Sequence, residues 1–522
     1  MLRSDLEEEY SISISYRRGM ALNFSPSLPL MRRCSEEREP GCRTLVAANK
    51  TGARMSSILP VLVLLTIGTG LSSVEGDCVF NALQGFCRCS KINQNTLFSI
   101  TSCISATIFE FRDEHFDGEV TFLPQYMRNL AHFLSLPLTR VTFANSALSE
   151  DFLVEFVRAA YVIHIKELVF ENCTIVGSAS WQAMVGSPPQ LVSLQFKNVS
   201  STHLSGRTTD ISSLSNWMVK IKELTLVKSQ VSHIPCNIGA HFQALFYLDL
   251  SNNPLQEKGI SQTFCNGLYP TLEVLRLSST HLTSLGEICK TLGQLENLTD
   301  LDLSHNDFSE LSFSHAACAG LSSLRILNLS DTGMTCVNIS FPSNIEILDL
   351  SWNRLQALDI SLRHVKSVVL SNNALKAVPA PETFPILEVL SVDGNMINQI
   401  HKYQVQAFKH LRVLGAAQNP YLCSCSSLME MKDLVKSELK MLGWPAGYIC
   451  DTPDVHKGTP MNEVYLSAFD CHKPLLVGLI CLLFLVVGIA GILCWVKTRC
   501  CLKPRPNDSG VGDQNLHLSH SG

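Results

Sequence analysis

At 522 residues, with 46% hydrophobic and 17% charged residues, the chain is long enough for several hundred residues of packed structure. Its formal net charge of −5 gives no basic footprint for nucleic acid. No G-x-S-x-G, H-E-x-x-H, P-loop or G-x-G-x-x-G sits in a catalytic context, and the sequence reads as non-enzymatic, with no cofactor and no metal.

Residues 1–54 are charged, polar and free of repeat character, which reads as an upstream extension or a removed leader. After Arg54, the apolar run Ile58–Ile67 is too short to span a bilayer and leads to Ser72, Ser73 and Gly76. Residues 55–76 are therefore predicted to be a secretory signal peptide, cleaved between Ser73 and Asp77. Such export implies an oxidising compartment, and the even number of cysteines from Cys78 to Cys471 agrees with it. Cys78, Cys87, Cys89 and Cys103 form a cluster within residues 77–104, and Cys423, Cys425, Cys450 and Cys471 form one within 420–473. Both read as disulfide-stapled caps. Zinc is the competing reading, but no histidine completes either set at finger spacing.

Between the caps, over residues 105–419, one phrase recurs: Leu-Asp-Leu-Ser-Asn-Asn from Leu248, Leu-Asp-Leu-Ser-His-Asn from Leu301, Leu-Asp-Leu-Ser-Trp-Asn from Leu348. This is the leucine-rich-repeat pattern. Its last apolar position falls at Phe143, Phe170, Phe196, Leu226, Leu250, Leu277, Leu303, Leu329, Leu350, Leu370, Val392 and Ala416, with Phe111 a degenerate earlier copy. That makes about 12–13 repeats, close to the usual length of about 20–29 residues. One repeat cannot bury its apolar edge alone, so the repeats must stack. The predicted fold is an α/β solenoid, a horseshoe with a parallel sheet on its concave face. Asn253, Asn306, Asn353, Asn373, Asn395 and Asn419 are placed to satisfy backbone groups where the chain leaves each strand. Ser146, Cys173, Ser229, Thr280 and Thr332 are weaker donors there, while Val199 cannot donate and predicts a different turn. The N-terminal half should be the irregular one, with inserted helices or loops.

Leu475–Val496 carries no charge and is long enough for a hydrocarbon core of about 30 Å. Lys497, Arg499, Lys503 and Arg505 follow it and put that side in the cytosol. The reading is a single-pass type I protein of the plasma membrane, with its helix at 474–496 and a short tail at 497–522 in which Cys500 and Cys501 are candidates for palmitoylation. Asn172, Asn198, Asn297, Asn328 and Asn338 head glycosylation sequons in the external part.

Two resemblances follow from these motifs. The run from Asn419 (Asn-Pro-Tyr-Leu-Cys-Ser-Cys), Trp444 to Pro453, and Phe469-Asp-Cys471 resembles the membrane-proximal cap of Toll-like receptors. It implies the pairs Cys423–Cys450 and Cys425–Cys471. Their cytosolic signalling domain has no counterpart after Val496. Residues 78–400 resemble the monocyte differentiation antigens that act as lipopolysaccharide co-receptors, in the Cys78…Cys87-Arg-Cys89…Cys103 spacing and the cysteines flanking the Leu248 and Leu301 repeats. That likeness implies the pairs Cys78–Cys89, Cys87–Cys103, Cys236–Cys265 and Cys289–Cys318, with Cys173 and Cys336 left as buried thiols. It departs at the C-terminus, where that family has a lipid anchor.

Together the resemblances imply a pattern-recognition co-receptor that takes a bacterial lipid, lipopolysaccharide or lipopeptide, and presents it to a Toll-like receptor. A decoy receptor and a leucine-rich-repeat adhesion protein are the alternatives. Phe109, Phe111, Phe116, Phe122, Phe133, Phe143 and Phe152 are the candidate lining of an apolar pocket, or else core under the cap. Asp249, Arg276, Asp302 and Asp349, with Asn328 between them, occupy equivalent outward strand positions and form a candidate partner-binding ladder.

Overall fold

A computed structural model describes residues 78–501 apart from 94–96, 118–121, 178–189, 202–217, 313–315 and 359. The extension, the signal peptide and the tail beyond Cys501 lie outside the described residues. Sixteen strands make one sheet. They are Cys78–Asn81 (β1), Phe86–Cys89 (β2), Ile108–Arg112 (β3), Arg140–Ala144 (β4), Glu167–Glu171 (β5), Ser193–Lys197 (β6), Glu223–Val227 (β7) and Tyr247–Asp249 (β8). Then come Val274–Arg276 (β9), Asp300–Asp302 (β10), Ile326–Asn328 (β11), Ile347–Asp349 (β12), Ser367–Val369 (β13), Val389–Ser391 (β14), Val413–Gly415 (β15) and Lys440–Leu442 (β16). β1 runs antiparallel to β2, and every later neighbour is parallel and consecutive. This is the leucine-rich-repeat solenoid.

Phe111 belongs to a full strand and pairs in register with Phe143, which pairs with Phe170 and then Phe196. Inward residues change character along the sheet. One core cluster, from Cys78 to Val199, is built on phenylalanine; the other, from Met218 to Val464, is built on leucine. Leu194 and Phe196 pack against both and join them. The N-terminal repeats carry the helices Phe122–Leu134 (α1) and Glu150–Ile163 (α2) in their connections. Ser149 caps α2 by accepting the Phe152 N–H, with Glu150 and Asp151 in the first turn.

The repeat asparagines are buried and fully engaged. Asn306 Nδ2 donates to the carbonyls of Leu277 (2.8 Å), Leu303 (2.9 Å) and Ser304 (3.2 Å), while its Oδ1 accepts the N–H groups of Thr280 and Leu282 at 3.0 Å each. One side chain thus ties its own turn to the preceding repeat. Asn253, Asn353, Asn373, Asn395 and Asn419 repeat the pattern. Ahead of this position the chain takes a left-handed residue, for example Asn252, His305 and Trp352, with φ of 59°, 55° and 59°. Val199 does not change the turn. Asn198 before it keeps φ at 56°, and Ser229 Oγ accepts the Val199 N–H at 3.2 Å and donates to the Phe196 carbonyl at 3.4 Å, so the next repeat supplies the donor that valine lacks.

Among the described residues six disulfides join Cys78–Cys89, Cys87–Cys103, Cys236–Cys265, Cys289–Cys318, Cys423–Cys450 and Cys425–Cys471, partner for partner as the two resemblances imply. Cys78, Cys87 and Cys89 lie close together, but their sulfurs are spent in these bonds rather than left as metal ligands. Cys173 is a buried thiol, donating to the Phe143 carbonyl at 3.3 Å. Cys336 is exposed, against the expectation of burial, because it sits in a connecting segment. The described residues end with the helix Lys473–Cys501 (α3), whose stretch Leu475–Arg499 is long and apolar enough to cross a membrane.

Candidate functional site

Alternation along each strand puts one row of side chains on the open face of the sheet. Pairing aligns Thr225, Asp249, Arg276, Asp302, Asn328 and Asp349 across β7 to β12. The ladder is therefore in register, but its acidic members also serve their own turns. Asp249 Oδ1 accepts the Ser251 N–H at 3.0 Å, Asp302 that of Ser304 at 2.9 Å, and Asp349 that of Ser351 at 2.9 Å. This is why the phrase reads Leu-Asp-Leu-Ser: the aspartate satisfies a backbone donor two residues on. Asp302 and Asn328 are buried, so the face offers mainly Asp249, Arg276 and Asp349.

Arg276 turns aside from its row and grips Asp300, one strand over and two positions back, through two hydrogen bonds of 2.5 and 2.6 Å. Tyr247, in the same flanking row as Asp300, brings its hydroxyl to 3.5 Å from Asp249 Oδ2. Burial, with the Asp249 charge second, pushes the Tyr247 phenol up to about 12. Burial also raises Asp249, over the opposing hydrogen bonds from Ser251. At the other end of the sheet, Glu110 accepts from Arg88 (2.8 Å) and Arg112 (2.6 Å).

A groove of about 640 Å³ opens on this face, lined among others by Lys197, Asn198, Glu223, Thr225, Tyr247 and Asp249. Its lining is polar and of mixed charge. Sequence reasoning found only Asp249 in the ladder. Thr225 shares the row of Asp249, and Lys197, Glu223 and Tyr247 occupy the flanking outward rows, which alternation could have located, while the partner Asp300 is invisible to a row-by-row reading because it lies on a diagonal.

The phenylalanine set divides. Phe109, Phe111, Phe116, Phe143 and Phe152 are each 0–2% exposed. Phe143 stacks between Phe111 and Phe170, with ring centroids 5.4 and 5.5 Å away, and meets Phe116, Phe152 and Phe156 edge-on. Phe116 stacks on Phe152 at 4.5 Å. These five rings fill core space and do not line a surface opening, since all five are buried and Phe143 has a ring on each face. Phe122 is half-buried and packs against this core, as do the similarly half-buried Phe80, Tyr126 and Leu136. The Phe133 side chain lies outside the described residues.

Among the sequons, Asn172, Asn198, Asn297 and Asn338 are exposed. Asn328 is 5% exposed and its Oδ1 accepts the Ser330 N–H at 2.9 Å. A glycan has no room there, so Asn328 is withdrawn as an acceptor. The side chains of Cys500 and Cys501 lie outside the described residues.

The leucine rich repeat family model matches residues 270–334. Over 363 residues, 68% of this chain, the sequence is 31% identical to Toll-like receptor 2 of Macaca mulatta, covering 46% of that protein. Against Toll-like receptor 2 of Mus musculus it is 30% identical over 391 residues, 72% of this chain and 50% of the relative. The chain spans about half the length of the curated relatives it matches. Among solved structures it is similar to the mouse RP105/MD-1 complex (16% identity, TM-score 0.37, covering 64% of this chain and 75% of that one). It is also similar to an internalin of Listeria monocytogenes (17%, TM-score 0.41, covering 61% and 87%).

Proposed function

We propose that this leucine-rich-repeat chain, similar to Toll-like receptor 2 over two thirds of its length, is a co-receptor of innate pattern recognition at the plasma membrane. The repeats face the exterior, capture a bacterial lipid, either lipopolysaccharide or lipopeptide, and present it to a signalling Toll-like receptor. The observation that carries this reading is the disulfide frame. Its first four bonds stand where the co-receptor resemblance implies them, and its last two staple the cap that resembles the Toll-like receptors. With five phenylalanines committed to the core, the acyl chains enter at the half-buried rim of Phe80, Phe122, Tyr126 and Leu136. Each CH₂ taken from water there contributes roughly 0.8 kcal/mol.

The test is binding of labelled lipopolysaccharide and diacyl lipopeptide to the folded, disulfide-bonded ectodomain, residues 77–473. Saturable binding displaced by unlabelled lipid, and weakened by Phe122→Asp, is the expected result. Failure to bind either lipid sinks the reading.

A second reading is favoured by the closed phenylalanine core and the mixed charge of the sheet face: the ladder from Asp249 to Asp349 docks a folded protein, as in an adhesion molecule. Capture of a protein partner that Asp349→Lys abolishes, with lipid binding absent, would select it.

A further inference from the structure

The groove on the sheet face carries two sequon asparagines in its own lining, Asn172 and Asn198. Both are exposed, and both follow their strands in the left-handed conformation, with φ of 55° and 56°. Their carboxamides belong to a ladder along the sheet edge. Asn198 Nδ2 donates to Asn172 Oδ1 at 2.8 Å, Asn172 Nδ2 to Asn145 Oδ1 at 3.1 Å, and Asn145 Nδ2 to Asp113 Oδ1 at 3.0 Å.

A carboxamide nitrogen carries two hydrogens, and the ladder spends one of them. The other is free for exchange. Glycosylation replaces it by a bond from nitrogen to the anomeric carbon of a lipid-diphosphate-linked oligosaccharide, the proton and the lipid diphosphate leaving. Modification thus leaves one hydrogen on the nitrogen for the ladder.

We propose that the groove is the bed of the chain's own oligosaccharide, the one attached to Asn198. Its chemistry suits a sugar. Lys197, Glu223 and Thr225 offer donors and acceptors, and Tyr247 adds an aromatic ring to the lining. Tyr247 lies two strands from Asn198, about 10 Å sideways, and five register positions back along the strands, about 17 Å, a separation of about 19 Å that an extended oligosaccharide covers. A volume of about 640 Å³ falls in the range of about 300–1,000 Å³ typical of small-molecule sites. In consequence, the sheet face over β6 to β8 is closed to outside partners, while Arg276 and Asp349 on β9 and β12 remain open. This inference stands apart from the lipid reading and neither requires nor excludes it.

The test uses the full chain expressed in mammalian cells. Native protein is digested with peptide N-glycosidase in heavy-oxygen water, and release is followed site by site by mass spectrometry. The Asn198 glycan is expected to leave at least tenfold more slowly than those on the exposed Asn297 and Asn338, and equally fast once the protein is unfolded. Equal release in the native state, or an Asn198 that carries no glycan, overturns the proposal. Tyr247→Ala should bring Asn198 release toward the Asn297 rate while leaving Asn297 itself unchanged, which also reports that the fold is intact. An Asn198 glycan still protected in that variant would sink the groove as its bed.

Discussion

Arg276 and Asp300 are joined by two hydrogen bonds of 2.5 and 2.6 Å across neighbouring strands, with side chains only 21% and 15% exposed. The geometry is bidentate and largely shielded, so this pair is stronger than an ordinary surface ion pair. Asp300→Ala should cost about 1.5–3 kcal/mol, the range for hydrogen bonds to charged groups. Urea unfolding of both single variants and the double variant would measure it. A coupling near zero would show that the pair is decorative.

Phe143 sits at the centre of the aromatic cluster, with rings on both faces and at its edges. Phe143→Ala is expected to lose about 3–5 kcal/mol by leaving a cavity. Phe122→Ser, at the half-buried rim, should lose far less stability. Thermal melts separate the two. Equal losses would mean that the rim is as tightly packed as the core.

Glu110 gives a pH signature. Burial works to raise its pKa, but hydrogen bonds from Arg112 and Arg88 outweigh burial and hold the carboxyl below its ordinary 4.5. A folded-state pKa below the unfolded one contributes stability that is present above the unfolded value and is lost as pH falls through the folded one. Denaturation midpoints of the wild type should therefore fall as pH drops from about 5 to about 3, and fall less steeply in Glu110→Gln. Parallel curves for the two proteins would assign the acid sensitivity elsewhere.

Tyr269 is 2% exposed, lies beside Phe242 and Phe264, and its hydroxyl has no partner. An unpaired buried hydroxyl costs about 1–3 kcal/mol. Tyr269→Phe should leave stability unchanged or raise it by up to about that amount, read as a higher melting temperature. A clear loss would reveal a partner for the hydroxyl.

The repeat pattern was legible because two residue types recur for separate physical reasons: leucine to fill the stack and asparagine to satisfy the turn. The disulfide frame was legible only through resemblance, since spacing alone allows many pairings. The pocket was not legible, because a run of phenylalanines reads the same whether the rings face one another or a cavity, and Phe143 shows that most of them face one another. Asn328 satisfies a sequon by local spelling, yet it is buried in its row between Asp302 and Asp349. Val199 was misjudged because Ser229, later in the chain, both accepts the Val199 N–H and donates to the Phe196 carbonyl.

The bond between Cys425 and Cys471 fastens the helix Cys425–Val435 to a point two residues before the helix Lys473–Cys501 begins. At about 3.5 Å per extended residue, the leash between them is about 7 Å. With the last helix in a bilayer, the solenoid therefore stands on a short pivot with no flexible stalk. It can swing like a lever but cannot rise, so the farthest that any repeat reaches from the bilayer is bounded by the fold itself.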